Sequence, residues 1–128
     1  MKIYNLNSKI SIQKVDSYVK NAIMIFADKD NVWEGKIKYK CTNYCDVCFL
    51  KLKADEIIPK HKHSTSEEIA LVIYGDGFVQ DSKKHKRIQK DDLIFLEKDR
   101  PHGYTAGEKG LNLLVFHALP MHDRMLVR

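Results

Sequence analysis

Nowhere does the chain approach the roughly 18 consecutive apolar residues that a membrane-spanning helix needs. Its first residues, MKIYNLNSKIS, also lack the apolar run of a secretion signal, so a cytoplasmic protein is expected. There is no Pro/Gly/Ser-rich linker, low-complexity tract or internal repeat to divide the 128 residues, which read as one globular domain. Cysteine is scarce and odd in number, and Cys41, Cys45 and Cys48 do not make the paired framework of a disulfide-stapled protein. A thiolate zinc site built on the three would need a fourth ligand nearby.

The CxxxCxxC spacing of these cysteines occurs in the cluster loops of radical enzymes, but the large (β/α) barrel that such loops serve does not follow. Charge is equally uninformative about partners. Twenty-two basic against 17 acidic residues give +5, yet the lysines scatter over turns and strand exteriors. The densest group, Lys83, Lys84, His85, Lys86 and Arg87, has no aromatic neighbours or recognition helix and is read as a solvated hairpin tip. No nucleic-acid partner and no membrane partner are expected.

What the chain does have is alternation. Residues 35–41 (GKIKYKC) put Ile37, Tyr39 and Cys41 on one face and lysines on the other. Residues 46–53 (DVCFLKLK) put Cys48, Leu50 and Leu52 on one face, with Phe49, Lys51 and Lys53 on the outer one. Further strands are predicted over 57–63, 68–74, 78–81, 87–90, 93–96, 102–106 and 111–119, with turns at Gly75-Asp76-Gly77 and Glu108-Lys109-Gly110 and a stop at Pro120. About nine strands favour a sandwich or barrel over one open sheet. Residues 16–27 read either as a helix or as a loop leading into a strand from Ala22, and 121–128 as a tail that docks on its own barrel or on a partner. The expected organisation is an extension over 1–34 packed on the barrel or a partner subunit, a barrel over 35–120, and a tail over 121–128.

Within the strands lies a chelating pattern. His61 and His63 are one residue apart, so on an extended strand both imidazoles point to the same side and Lys60 and Lys62 to the other. Glu68 opens the next strand with Ala70, Val72 and Tyr74 on its face, and Ala70 leaves room for a ligand beside the carboxylate. Glu67 has the opposite parity and reads as a surface group. His102 heads a later strand that it shares with Tyr104. Three imidazoles and one carboxylate suit a divalent transition metal, Fe, Mn, Ni, Zn or Cu, and a six-coordinate ion held by four protein groups keeps two positions open.

The segment from His61 to Gly75 resembles the first motif of the cupin superfamily: HxH, three or four residues, Glu, six residues, Gly. The second motif is matched in spacing from Asp91 to His102, with Asp91, Glu97 and Asp99 standing where the family has Gly, Pro and Gly. Asp55 likewise replaces the glycine expected six residues before His61, and Ala106 the asparagine expected four after His102. These departures touch turns and leave the ligands intact. The resemblance covers about residues 35–120. It implies an all-β double-stranded β-helix (jelly-roll) barrel with its metal inside, held by His61, His63, Glu68 and His102, in a protein that forms a homodimer through its outer strands. Apolar Ile69, Leu71 and Ile73, on the face away from Glu68, suit cover by a second sheet or subunit.

The same resemblance implies a polar residue near the metal on the last strand, here His117, as an acid/base or substrate contact. Tyr104 and Tyr74 offer hydroxyls to a substrate, and Cys48 either approaches the metal or fills core. Two function classes follow. The preferred one is a metal-dependent enzyme acting on a small polar molecule. With Fe(II) it would run dioxygenase chemistry on an enediol, diketone or thiol, and with Mn(II), Ni(II) or Zn(II) isomerase or lyase chemistry on a sugar or organic acid. The alternative is a non-catalytic module that binds a metal or metabolite.

Overall fold

Alternating apolar and polar residues form strands wherever one face is buried and the other left in water. A computed structural model describes residues 22–26, 45–118 and 125–126. Every element assigned among them is a strand: β1 (Ala22–Phe26), β2 (Cys45–Leu52), β3 (Ile57–Lys62), β4 (Glu67–Gln80), β5 (His85–Gln89), β6 (Leu93–Leu96), β7 (His102–Ala118) and β8 (Met125–Leu126). The all-β expectation holds. Among the described residues no helix is long and apolar enough to cross a membrane.

The two expected glycine turns do not reverse the chain. β4 and β7 run straight through them as strands of 14 and 17 residues, longer than most strands. They pair antiparallel with each other from Glu67 opposite Ala118 to Gln80 opposite Gly103, and the turn residues become an irregularity inside that ladder. Gly75 faces Leu111 and Gly77 faces Ala106, so Asp76 stands against residues 107–110. Extra residues on one strand bend it. Gly75 and Gly110 have φ of +80° and +84°, and a Cβ on Gly75 would lie 2.0 Å from the Gly110 carbonyl oxygen. The glycines thus signal a sharp bend and close backbone approach rather than a reversal.

The bend splits the ladder into two leaves that share β4 and β7. One runs β1-β2-β7-β4-β6, using residues 111–118 of β7; the other runs β8-β3-β7-β4-β5, using residues 102–106. Their inner faces meet in one core. Cys48, Ala70, Val72, Leu113 and Val115 from the first leaf join Ile58, Ile88, Tyr104 and Ala106 from the second. Cys48 therefore fills core, as the second of its two readings had it.

Two predicted side-chain orientations need correction. The register slips between Val72 and Tyr74, which flips parity there, so Tyr74 is 52% exposed instead of lining the interior. Phe49, expected on the wet side of β2 with the lysines, is buried. For residues 16–27, the reading with a strand from Ala22 is the one observed over Ala22–Phe26, which pairs with β2. The tail docks on its own barrel at least at β8, where Leu126 pairs with His61 and Met125 with Lys62. The strand expected over 35–41, Cys41, and the boundaries proposed at 34/35 and 120/121 lie outside the described residues.

Candidate metal centre

Antiparallel neighbours on one face form a row, and the rows decide which side chains meet. On the first leaf, Glu68 stands between Leu96 on β6 and His117 on β7. On the second, His61 of β3 stands opposite His102 of β7. His63 follows directly after β3, where the Asp99 N–H donates to its carbonyl oxygen at 2.7 Å and ties that segment to the turn before His102. Because the leaves face each other, the two rows converge. The ring centroids of His61 and His102 lie 4.4 Å apart, and those of His61 and His63 4.9 Å apart.

One ligand atom from each of His61, His63, Glu68 and His102 lies within 4.8 Å of the others. All four residues are buried, at 2–5% exposure, while Glu67 is exposed. The backbone sets the tautomers. His61 Nδ1 is 2.8 Å from the Pro59 carbonyl oxygen and His102 Nδ1 is 3.0 Å from that of Arg100, so each Nδ1–H donates outward and turns Nε2 toward the cluster, where it offers a lone pair whenever the ring is neutral. These carbonyls are functional groups that side-chain spacing could not reveal.

Glu68 is the hub. Its Oε1 lies 3.0 Å from His117 Nε2, 3.3 Å from His102 Nε2 and 3.7 Å from His63 Nε2, and its Oε2 accepts the Tyr104 hydroxyl proton at 2.5 Å. Burial alone would raise the Glu68 carboxyl, but the His102 imidazole beside it and the hydrogen bond from His117 hold it well below the usual carboxylate range. Burial also works to lower His102, and the Glu68 charge outweighs it and raises that imidazole. His61 is pushed down to about 3, first by burial and then by His102, so it is neutral. Burial and the adjacent carboxylate raise the Tyr104 hydroxyl well above its ordinary value.

These residues fit a divalent metal ion. A charged, buried carboxylate surrounded by imidazoles is an arrangement that attracts a cation. His102 Nε2, fully buried, makes no aligned hydrogen bond among the described residues although Glu68 Oε1 is near. Three imidazole nitrogens and one carboxylate oxygen are a donor set suited to a divalent transition ion. Among the residues named from sequence, His61, His63, Glu68, His102, His117 and Tyr104 are brought together, while Tyr74 and Cys48 are not part of the group.

Three turns carry aspartate where the resembled motif has glycine. Asp55, Asp91 and Asp99 have φ of 64°, 75° and 61°. The left-handed conformation that glycine would supply is kept, with a residue type that tolerates it better than most. The loop shapes therefore survive the substitutions.

The family model for the cupin domain matches residues 48–117. No curated protein matches the chain by sequence. Solved structures share its fold. A protein with a double-stranded β-helix domain from Klebsiella pneumoniae is 17% identical with a TM-score of 0.64, covering 68% of this chain and 77% of its own. KdgF from Halomonas sp. is 18% identical with a TM-score of 0.60, covering 64% and 76%. The polyketide cyclase RemF from Streptomyces resistomycificus is 17% identical with a TM-score of 0.61, covering 68% and 63%. The two leaves described above are thus those of a double-stranded β-helix.

Proposed function

The chain belongs to the cupin family, and from that premise we propose that it is a metal-dependent enzyme acting on a small polar molecule. The observation that carries this reading is the convergence of four buried ligand atoms within 4.8 Å, three on imidazoles and one on a carboxylate, with the outer nitrogens of His61 and His102 already tied to carbonyls. His61, His63, Glu68 and His102 would hold one divalent transition ion. Such an ion, when bound, supplies Lewis acidity toward a substrate oxygen or, as Fe(II), activation of dioxygen.

The protein's own groups manage the protons. Tyr104 holds a proton on its hydroxyl and presents it to Glu68 Oε2, while His117 Nε2 sits at Oε1. Both carboxylate oxygens are thereby fixed in direction, and Tyr104 and His117 are the acid/base groups of the site. The name of RemF, a polyketide cyclase of the same fold, lends support to the isomerase or lyase branch over the dioxygenase one.

The second reading, a binding module without turnover, draws support from the same burial: His117 and Tyr104 are both engaged with Glu68, and the ligands are nearly sealed. Metal content of the purified and reconstituted protein, followed by turnover assays with enediols, thiols and uronates under Fe(II) or Mn(II), decides between them. Turnover lost in His102→Ala supports the enzyme. Stoichiometric metal without turnover across the panel supports the module, and substantially less than one metal per chain removes both.

A homodimer completes the reading. Phe95, Ile69 and Phe116 form one outward row and Leu93, Leu71 and Leu114 the next, with Leu93 69% and Phe95 57% exposed. A second copy laid over this face would take that apolar surface out of water.

A further inference from the structure

With its ligands nearly sealed, the metal site needs a way in, and among the described strands β5 and β6 leave an unpaired edge. Both strands pair with β4 and neither with the other, so the leaves part along this edge. A cleft of about 440 Å³ opens there, a size suited to a small organic ligand. Its inner wall is apolar and comes from inward-facing positions: Val79, Ile88, Ile94 and Leu96. None of the proposed ligands lines the cleft, yet two of its lining residues are cross-strand neighbours of the site. Leu96 stands opposite Glu68, and Val79 stands opposite Tyr104, whose hydroxyl bonds Glu68.

The rim is charged and unevenly committed. Asp81 is taken up by Arg100 at 3.1 Å and by the amides of Lys83 and Lys84, and Asp92 accepts the Gln89 N–H at 2.8 Å. Arg87 pairs with Asp76 at 3.3 Å. These ion pairs engage the arginines and leave out Lys84 and Lys86, with Glu97 the remaining acid of the rim. Lys86 is opposite Val79 and so stands on the inward side of β5, over the apolar wall.

We propose that this cleft is the outer subsite and approach to the metal site, that it takes an amphiphilic carboxylate with its head at Lys86 and its apolar body against Val79, Ile94 and Leu96, and that Leu96 and Val79 divide it from Glu68 and Tyr104. Its role as an approach rests on the metal-enzyme reading above. Carboxylate binding in the cleft does not.

Two measurements separate these parts. Metal-free, amide-labelled protein is titrated with phenylacetate and with neutral 2-phenylethanol. Phenylacetate is expected to shift the amides of Val79, Lys86, Ile94 and Leu96, to bind at least about fivefold tighter than the alcohol, and to lose that margin in Lys86→Glu. Equal affinity for the alcohol, or shifts elsewhere only, overturns the subsite. Next, the ring protons of phenylacetate should relax faster with Mn(II)-loaded than with Zn(II)-loaded protein, and faster still in Leu96→Ala. Cleft binding without that enhancement overturns the approach. Failure to load any metal sinks the function reading and the approach together, while the metal-free titration still decides the subsite.

Discussion

Two rows of residues on the same strands invert the usual rule of burial. The inner row, Leu96, Glu68 and His117, carries a carboxylate and an imidazole at 4% exposure each. The row beside it, Phe95, Ile69 and Phe116, faces outward with phenyl rings 57% and 36% exposed. Burying a carboxylate is costly unless it is fully bonded, and leaving phenyl rings in water forgoes the main stabilising force of folding. A sequence selected for stability alone would exchange the rows. Their arrangement is what the proposed metal site on the inner face and the proposed dimer on the outer face would each require.

The inner row gives the largest expected effect when broken. Glu68→Ala takes the acceptor from Tyr104 and His117 and leaves three imidazoles and a hydroxyl buried around an empty corner. It should cost the metal-free protein about 3 kcal/mol in urea unfolding and abolish stoichiometric metal binding. Tyr104→Phe is milder, because it deletes one hydroxyl from a buried charge-assisted bond and keeps the ring in the core. A loss of about 1.5 to 2 kcal/mol is expected by the same measurement. Should Tyr104→Phe prove neutral, the Oε2 contact contributes nothing to holding Glu68.

The outer row should behave in the opposite way. Leu93→Ser with Phe95→Ser removes apolar side chains that are already largely in water, so monomer stability should change by only about 0.5 kcal/mol per site. Sedimentation velocity should nonetheless move from dimer to monomer. A protein that is monomeric before substitution removes the homodimer reading and leaves the exposed rows unexplained.

How much of this was legible in the sequence follows from what each signal encodes. Period-two parity put His61 and His63 on one side and distinguished Glu68 from Glu67, because strand geometry fixes which side chains share a face. Parity fails where the count slips, and nothing at Ile73 announces the irregularity that turns Tyr74 outward. Gly75 and Gly110 correctly marked unusual backbone, but a positive φ serves a bend within a strand as well as a reversal, and only the long pairing of β4 with β7 decides between them. The carbonyls of Pro59 and Arg100, which orient His61 and His102, belong to the backbone and leave no trace in residue type.

The smallest effect concerns what keeps the two rows apart. Whether Leu96 or Phe95 faces inward depends on the register of β6 against β4, and the turn before β6 sets it. There the Asp91 N–H donates to the Val72 carbonyl oxygen and the Val72 N–H to that of Asp92, both at 2.9 Å. Asp91 does this at a φ of 75°, which costs a side-chain-bearing residue about 1 kcal/mol or more. Glycine is spared that cost and loses part of the gain through its freer unfolded chain. Asp91→Gly should therefore stabilise by about 0.5 kcal/mol, with the slow amide exchange of Ile94 and Leu96 unchanged. Asp91→Val offers the same backbone bonds but resists the left-handed conformation, so it should destabilise and speed exchange at Ile94 and Leu96 before it does so at Val115. If exchange quickens equally at all three, the turn stabilises the barrel as a whole and does not set which row faces in.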